Sequence, residues 1–193
     1  PSIFDQIRIP EDCTLRNTLK ILTPLGEDTS VMRTTALPSM LEILSRNYAY
    51  HNKSVKLYEL AKVYLPQEGQ ALPAEPKMLV LGAYGPDVSF FTLKGQLEAV
   101  FQGLRLQKAS YTAVKDNPSY HPGRCAKVTV NGVDVGFMGQ VHPLAAKNFG
   151  IEAEVYCAEI NFTKLFDMQL PEPTYTPLPK YPTVTRDLSV LCD

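Results

Sequence analysis

Hydrophobic and polar positions alternate most clearly in residues 55–65, and this alternation predicts a β-strand. The odd-numbered positions are apolar except for Glu59, whereas the even-numbered positions are mainly lysine and tyrosine. Residues 77–84 are more continuously apolar and predict a second strand. The intervening residues 67–76 contain Gly69, Pro73 and Pro76, which is typical of a connection. We therefore expect a long antiparallel hairpin with the odd-numbered face of its first strand turned towards a core.

A spacing of three to four residues between apolar positions predicts two helices. The first should bury one stripe of side chains, which consists of Leu37, Met40, Leu41, Leu44 and Tyr48. We expect Thr34 or Thr35 to cap this helix, with Pro38 tolerated in its first turn. The second helix should begin after Asp87 or Ser89 and bury Phe90, Leu93, Leu97, Val100, Phe101 and Leu104.

The pair Asn131-Gly132 lies between two alternating segments and is a strong signal for a tight β-hairpin. The hairpin strands are predicted in residues 121–130 and 133–141, with a His-Pro step at each end. Further strands are predicted in residues 19–25, 110–114 and 155–162, and a short helix in residues 143–149 that stops at Gly150.

Most of these elements are joined by hairpins or short loops, and the helices do not alternate strictly with the strands. This pattern predicts an α+β fold, in which an antiparallel β-sheet is flanked by helices on one face, and not a doubly wound parallel sheet. Residues 171–182 contain five prolines and predict an extended linker. Residues 186–191 predict one further strand, which cannot fold alone, so we expect the truncated start of another domain there. The first residue, Pro1, agrees with a fragment of a longer chain.

Composition and charge exclude several classes of protein. The 193 residues are 45% hydrophobic and 20% charged, which allows one good core, and a net charge of −1 provides no global basic field for nucleic acid. No apolar run reaches the roughly 18 residues of a membrane span, and the first ten residues do not resemble a signal peptide. The four cysteines are far apart and include no Cys-x-x-Cys, so we expect reduced thiols and a cytoplasmic location: Cys13, Cys125, Cys157 and Cys192.

His121 and His142, at the two ends of the predicted hairpin, are the first candidates for chemistry. As functional groups they would be metal ligands or a general acid and base, and a metal would need a third ligand such as Asp134 or Glu159. In the structural alternative, the neighbouring prolines fix the strand ends and each imidazole hydrogen-bonds to nearby backbone. We favour this alternative because catalytic histidines need a cleft that the sequence does not reveal.

The glycines of the same region also have structural interpretations. Gly136 and Gly139 resemble a phosphate-binding loop only superficially, since a third glycine and a Gly-Lys-Ser/Thr are missing. Within a strand, such glycines indicate a bulge or the close approach of another backbone. Gly123 predicts a turn, and Arg124 is expected to pair with a carboxylate such as Glu159 or to contact a partner protein.

Glu59 interrupts the apolar face of the first predicted strand. A buried carboxylate costs free energy unless it is paired. Either that face is partly exposed to water, or Arg33 or Arg124 contacts Glu59.

Several blocks of sequence, in the same order, resemble the β subunits of bacterial phenylalanyl-tRNA synthetases. They are residues 30–41 (SVMRTTALPSML), 57–64 (LYELAKVY), 91–98 (FTLKGQLE), 121–124 (HPGR), 136–143 (GFMGQVHP) and 179–188 (PKYPTVTRDL). The shared order over most of residues 17–191 makes the resemblance specific. The signature positions that we expect to be structural or interface residues are Arg33, Glu59, His121, Pro122, Gly123, Arg124, Gly136, Gly139, His142 and Pro143.

The resemblance implies a catalytic-like module with the class II aminoacyl-tRNA synthetase fold in residues 1–170. The module would pack against the α subunit of an (αβ)2 enzyme that charges tRNA(Phe), with ATP and Mg²⁺ bound by the α subunit. The proline-rich linker of residues 171–182 would lead to a ferredoxin-like anticodon-binding domain, whose truncated start is residues 183–193. Arg186 would then lie near tRNA.

The resemblance also implies that this module is not catalytic. Active class II synthetases place an arginine after the motif 2 strand and another at the start of the motif 3 helix. Here residues 57–64 run into Leu65-Pro66-Gln67, and residues 136–139 run into Gln140-Val141-His142-Pro143, without arginine in either place. We therefore expect no catalytic, cofactor or metal residues in the chain. The alternatives are a free-standing RNA-binding or synthetase-like paralogue and an interaction module unconnected with translation.

Overall fold

The computed structural model describes residues 2–26, 29–106, 108–168, 175, 177–181 and 184–191. Its helices, apart from a 3-10 turn at Thr14–Arg16, are α1 (Ile3–Gln6), α2 (Leu37–Ala49), α3 (Phe90–Gly103), α4 (Pro143–Asn148) and α5 (Phe162–Phe166). Its strands are β1 (Val55–Lys62), β2 (Lys77–Tyr84), β3 (Ser110–Ala113), β4 (Tyr120–Val130), β5 (Val133–Val141) and β6 (Val155–Asn161). No helix in the described part of the chain is long and apolar enough to cross a membrane.

The six strands form one antiparallel sheet in the order β1-β2-β6-β5-β4-β3. The predicted hairpin of β1 and β2 is confirmed, and its pairing runs without a register shift from Val55 opposite Tyr84 to Lys62 opposite Lys77. The hairpin of β4 and β5 is also confirmed. Asn131 and Gly132 have φ values of 50° and 78°, as a tight turn with two left-handed residues requires.

The antiparallel sheet and its helices confirm the α+β class, but the prediction that the helices lie on one face is wrong, because they cover both faces of the sheet. One face packs against α1, α2 and α4, and the central side chains of that core include Met40, Leu41 and Leu44. The other face packs against α3 and α5, with Leu93, Leu97 and Leu165 among its most buried side chains. Each face therefore buries its own set of alternate strand residues, as expected for a sheet between two layers.

The cap predicted for α3 is confirmed, whereas the prediction that Thr34 or Thr35 caps α2 is wrong, because the residue before α2 is Ala36 and its side chain makes no cap hydrogen bond. Ser89 caps α3, because its side chain accepts the N–H of Thr92 while the Thr92 hydroxyl accepts the N–H of Ser89. The first helical residue of α2 is Leu37, whose N–H bonds the hydroxyl of Thr35 at 3.3 Å. Pro38 lies in the first turn of α2, where a missing N–H costs no intrahelical bond.

Several expectations about secondary structure are wrong. The strand predicted for residues 55–65 ends at Lys62, and beyond it Leu65 forms only an isolated bridge to Ala74. Residues 19–25 do not form a strand, because only Lys20 finds a partner, in a single bridge to Val31. The strand predicted for residues 155–162 ends one residue early, since the Asn161 side chain accepts the N–H of Lys164 and starts α5. Residues 184–191 are exposed and contain no strand, as no described strand pairs with them. Residues 171–174, 176 and 182 of the predicted linker lie outside the described residues.

Candidate functional site

A row of polar and apolar side chains crosses the sheet beneath the start of α2. The strand register places Glu59 opposite Val80, Val80 opposite Glu159, and Glu159 opposite Phe137. Directly opposed residues project from the same face of a sheet. The row therefore brings two glutamates, from the first and the last strand of the chain, to the face that packs against α2.

Arg33 meets the first of these glutamates, as one of the sequence alternatives predicts. Its Nη2 lies 3.4 Å from Oε1 of Glu59, and its Nη1 donates to the hydroxyl of Ser39 at 3.2 Å. Its Nε donates to the carbonyl of Lys62 at 2.8 Å, and its own carbonyl accepts the N–H of Tyr64 at 2.8 Å. Both ionic groups are about one-third exposed, so Arg33 fastens the segment before α2 to β1 mainly through several bonds together.

Glu159 holds the same segment from the centre of the sheet. Its Oε1 accepts the N–H of Ala36 at 2.7 Å, and its Oε2 accepts the hydroxyl of Thr35 at 2.7 Å. A carboxylate at the N-terminal end of α2 is also favoured by the helix dipole. Burial raises the pKa of Glu159, while the bonds from Ala36 and Thr35 and the charge of Arg33 oppose the rise. Glu159 is thus a structural anchor for α2.

Arg124 pairs with a carboxylate as predicted, but the example given for its partner, Glu159, is wrong. Arg124 Nη1 instead donates to Glu154 at 2.9 Å and to the side-chain oxygen of Gln140 at 2.8 Å. The hydroxyl of Tyr156 donates to the other oxygen of Glu154 at 2.8 Å. These bonds, from Tyr156 first and then Arg124, lower the pKa of Glu154. Arg124 cannot reach Glu159, because Glu159 projects from the face of the sheet that packs against α2, whereas Arg124 lies on the opposite face with Phe90 and Tyr156.

The two histidines form the backbone contacts that the structural interpretation predicts. Nδ1 of His121 accepts the N–H of Gly123 at 3.0 Å, and Nδ1 of His142 accepts the N–H of Leu144 at 3.1 Å. The second contact caps α4. Burial lowers the pKa of His142, and the nearby positive charge of Arg8 lowers it further. Both rings are therefore already engaged at one nitrogen.

The prolines and the first glycine of this region stand at irregular points of the backbone. Pro143 is the first residue of α4, a position that needs no N–H donor. Pro122 and Gly123 lie in the part of β4 where the register with β5 shifts, between Tyr120 and Cys125. The turn predicted at Gly123 is wrong, since this residue is part of the strand.

Gly136 and Gly139 permit the close approach of neighbouring backbones, as predicted. A Cβ atom on Gly136 would lie 2.0 Å from the carbonyl oxygen of Glu159 in β6. A Cβ atom on Gly139 would lie 2.3 Å from the carbonyl oxygen of Arg124 in β4. Gly136 also has a φ of +154° beside the second register shift, between Val128 and Thr129. Both glycines are therefore fixed by strand packing.

Cavities adjoin both sides of this region. One of about 530 Å³ opens beside Glu159 and is bounded by apolar side chains that include Val63, Met78 and Phe137. Another, of about 550 Å³, lies at the start of α3 and is lined by Phe90, Phe91, Tyr111, Arg124 and Tyr156, among others. Within the described residues, no group of three or more His, Cys, Asp or Glu side chains is arranged to hold a metal ion. Arg186 lies apart from these cavities in exposed chain.

Comparison with protein families identifies the group to which this fold belongs. The model of the family described as "Phenylalanyl tRNA synthetase beta chain CLM domain" matches residues 1–162, most of the chain. The chain belongs to this family. Its CLM domain therefore consists of the antiparallel sheet and the helices that cover it, up to the start of α5.

Individual relatives agree with the family assignment of the CLM domain. The phenylalanine–tRNA ligase β subunit of Clostridium tetani is 46% identical over 194 residues, and that of Clostridium acetobutylicum is 45% identical over 194 residues. Each match covers all of this chain and 24% of the relative. The β subunit of Symbiobacterium thermophilum is 35% identical over 204 residues, again over the whole chain. The chain thus spans about a quarter of the length of these relatives.

Sequence reasoning about the CLM domain missed the residues that complete these contacts. Glu154 and Gln140, the partners of Arg124, gave no signal because isolated polar residues near strand ends are common on protein surfaces. Ser119 was missed too, although its hydroxyl donates to the carbonyl of Ile7 at 2.6 Å and ties the N-terminal segment to β4.

Proposed function

We propose that this CLM domain is a non-catalytic interface module of a phenylalanyl-tRNA synthetase β subunit. It supports ATP-dependent charging of tRNA(Phe) by an α subunit in an (αβ)2 assembly, where the α subunit holds ATP and Mg²⁺. The chain's relatives are named as β subunits of phenylalanine–tRNA ligase, and this naming supports a partner α subunit. The assembly would function in the cytoplasm.

The observation that carries the proposal is the absence of arginine where a class II site would need it. The hairpin of β1 and β2, including its connection, contains no arginine. Two strands of the sheet lead directly into helices, β5 into α4 and β6 into α5, and neither helix contains arginine. Lysine binds phosphate as a point charge and does not reproduce the planar, bidentate contact of a guanidinium. A phosphate-binding role for this sheet is therefore disfavoured.

The use of the remaining polar groups supports the same proposal. His121 and His142 accept backbone N–H groups, Glu159 anchors the start of α2, and Arg124 is paired with Glu154. A catalytic group must reach a substrate, whereas these groups are occupied within the domain. Their arrangement is that of residues which hold a fold together.

The domain boundaries of the proposal follow from the same elements. We assign residues 1–170 to a class II synthetase-like domain, residues 171–182 to a linker, and residues 183–193 to the start of an anticodon-binding domain near tRNA. The family match to residues 1–162 supports the first boundary. The side chains of Val184, Leu188 and Leu191 are almost fully exposed, which supports a missing partner for the last segment.

The test uses a full-length β subunit that contains this sequence, co-expressed with its α subunit. His142→Ala removes the cap of α4 and should cost about 1 kcal/mol of stability. His121→Ala is the matched variant, since it removes the other histidine ring, which lies in β4 and caps no helix. For a structural module, the yield of complex falls while kcat and KM per assembled complex stay unchanged.

Two outcomes would contradict the proposal. Loss of kcat in an intact complex would assign a catalytic role to the histidines. Specific ATP binding by the 193-residue chain in a calorimetric titration, with micromolar affinity, would show that a nucleotide site exists without the arginines. The α subunit, titrated in parallel, is the positive control.

A further inference from the structure

β1 is one edge of the sheet, and part of this edge is uncovered. Arg33 covers its C-terminal end, because the Arg33 carbonyl accepts the N–H of Tyr64 and the Arg33 Nε donates to the carbonyl of Lys62. Among the described residues, no other segment pairs with the outer side of β1. The uncovered part, residues 56–60, is called the β1 edge below.

The hydrogen-bond pattern shows which residues of the β1 edge have free backbone groups. Beyond the strand, Val63 donates to Pro76, and Leu65 exchanges both bonds with Ala74. In an antiparallel pair, residues that bond the partner alternate with residues that point away. The odd-numbered residues therefore bond β2, whereas the N–H and C=O groups of Lys56, Tyr58 and Leu60 point outwards.

Side chains make the β1 edge suitable for another protein segment. Tyr58 is 74% exposed and Leu60 is 55% exposed, and both project from the same side of the strand. Lys56 and Lys62 flank them on that side. Edge strands are usually protected by charges, prolines or bulges against pairing with other chains. Here the strand contains no bulge or proline, and the lysines leave two apolar residues between them.

Pairing of the β1 edge with a second copy of itself is disfavoured by charge. The antiparallel register that brings Tyr58 opposite Leu60 of the other copy also brings Lys56 opposite Lys62, and like charges directly opposite each other repel. A register centred on Tyr58 would instead oppose Leu60 with Lys56. A register centred on Leu60 would need the backbone at Lys62, where Arg33 already binds.

We propose that the β1 edge binds an extended segment of a different polypeptide, which adds a seventh antiparallel strand to the sheet. The backbone of the segment pairs with residues 56–60 only, with apolar side chains opposite Tyr58 and Leu60 and an acidic side chain opposite Lys56. A second acidic side chain, at the other end of the segment, contacts the exposed ammonium of Lys62 without a backbone bond there, because Arg33 occupies the Lys62 carbonyl. Lys62 also pairs with Glu75 at 2.9 Å, but both groups are about half exposed, and such a bridge exchanges partners at little cost. Backbone hydrogen bonds between the segment and the β1 edge provide the affinity, and the charges of Lys56 and Lys62 select segments with acidic ends.

The test is an NMR titration of the 15N-labelled 193-residue chain with two capped heptapeptides. The matched peptide is Glu-Thr-Val-Thr-Val-Thr-Glu, and the control replaces both glutamates by lysine. We expect the matched peptide to bind at least tenfold more tightly. The amide signals of Tyr58 and Leu60 should move most, and their hydrogen exchange should be fast in the free chain and slowed by the peptide.

Two substitutions at one position separate backbone pairing from side-chain contact. Leu60→Pro removes an outward N–H without removing a bond to β2, so it should abolish binding while the circular dichroism spectrum stays unchanged. Leu60→Thr keeps the N–H and should retain binding, weakened by less than tenfold. If Leu60→Pro fails to fold, Tyr58→Pro tests the same bond pattern.

Three results would overturn the inference. The first is equal affinity for the two peptides or no binding of either at millimolar concentration. The second is slow hydrogen exchange of the Tyr58 and Leu60 amides in the free chain. The third is concentration-dependent dimerisation in analytical ultracentrifugation that Leu60→Pro abolishes, since this would assign the edge to a second copy. None of these results depends on whether the proposed partner subunit exists.

Discussion

Replacement of Gly136 by alanine should be among the most destabilising single changes in this chain. The new Cβ would lie 2.0 Å from the carbonyl oxygen of Glu159, an atom of the neighbouring strand backbone. Carbon–oxygen contacts between strands normally lie at about 3.3–3.6 Å, so β5 and β6 would have to separate by about 1.3 Å. Such a displacement breaks ladder bonds, since N–H···O bonds weaken steeply beyond about 3.2 Å.

The magnitude follows from two terms. Loss of two ladder bonds costs about 2 kcal/mol at roughly 1 kcal/mol each. An alanine at a φ of +154° adds backbone strain of about 1–3 kcal/mol. The expected loss is therefore about 3–5 kcal/mol, against a total stability of about 5–15 kcal/mol for a typical domain.

Three other glycines provide matched controls for the two terms. Gly139 has an ordinary φ but a contact of 2.3 Å, so Gly139→Ala tests the clash alone and should cost about 2–3 kcal/mol. Gly132 has a φ of +78° and no atom near its Cβ position, so Gly132→Ala tests the strain alone, about 1–2 kcal/mol. Gly95 is an exposed helical residue with neither problem, and Gly95→Ala should stabilise the chain by about 0.5–1 kcal/mol.

The measurement is urea unfolding of the four variants, followed by circular dichroism, with the free energy of unfolding taken from the midpoint and slope. The expected order of destabilisation is Gly136→Ala, then Gly139→Ala, then Gly132→Ala. A Gly136→Ala variant that loses no more stability than Gly132→Ala would refute the close approach of β5 and β6. Thermal unfolding of the same variants should give the same order.

Two further predictions concern buried ionisable groups. The pKa of Glu159 in the folded chain is raised above its ordinary value of 4.5. Between pH 4.5 and the raised pKa, the folded chain holds a proton on this carboxyl that the unfolded chain has lost, so the contribution of Glu159 to stability falls as pH rises through that window. The free energy of unfolding of the native chain minus that of Glu159→Gln should therefore fall from pH 4 upwards; a difference that stays constant or grows with pH would contradict this. Burial raises the pKa of Cys125 to about 11 and that of Cys157 further. Among the three cysteines that the structure describes, a disulfide reagent at pH 8 should therefore label the partly exposed Cys13 before Cys125 and Cys157, and rapid labelling of Cys157 in folded protein would contradict its burial.

Secondary structure was predictable where many residues repeat one signal. The alternation of residues 55–65 and the apolar stripe of α2 each contain at least five positions in phase, and both elements form, although the strand ends at Lys62. The five-residue helix α5 contains barely more than one turn, so periodicity cannot reveal it, and only the cap at Asn161 defines its start. The strand expected in residues 19–25 had apolar residues but lacked a partner strand.

The contacts of the candidate site depended on strand order, which local patterns do not contain. β6, the last strand in the chain, inserts between β2 and β5. This insertion places Glu159 under Thr35 and Ala36, more than 120 residues earlier in the chain. Without that order, Arg124 and Glu159 looked like suitable partners, since both were isolated charges in predicted strands.

The sequence by itself determined the secondary-structure pattern, the α+β class and the family, because these depend on local periodicity and on blocks of residues in a fixed order. It also indicated that Gly136 and Gly139 permit close backbone approach, since glycine within a strand has few other uses. Only the tertiary structure decided which charges pair and which strand edge stays open. Those properties arise from pairing between distant segments, where one shift of register changes every neighbour and the face that each side chain occupies.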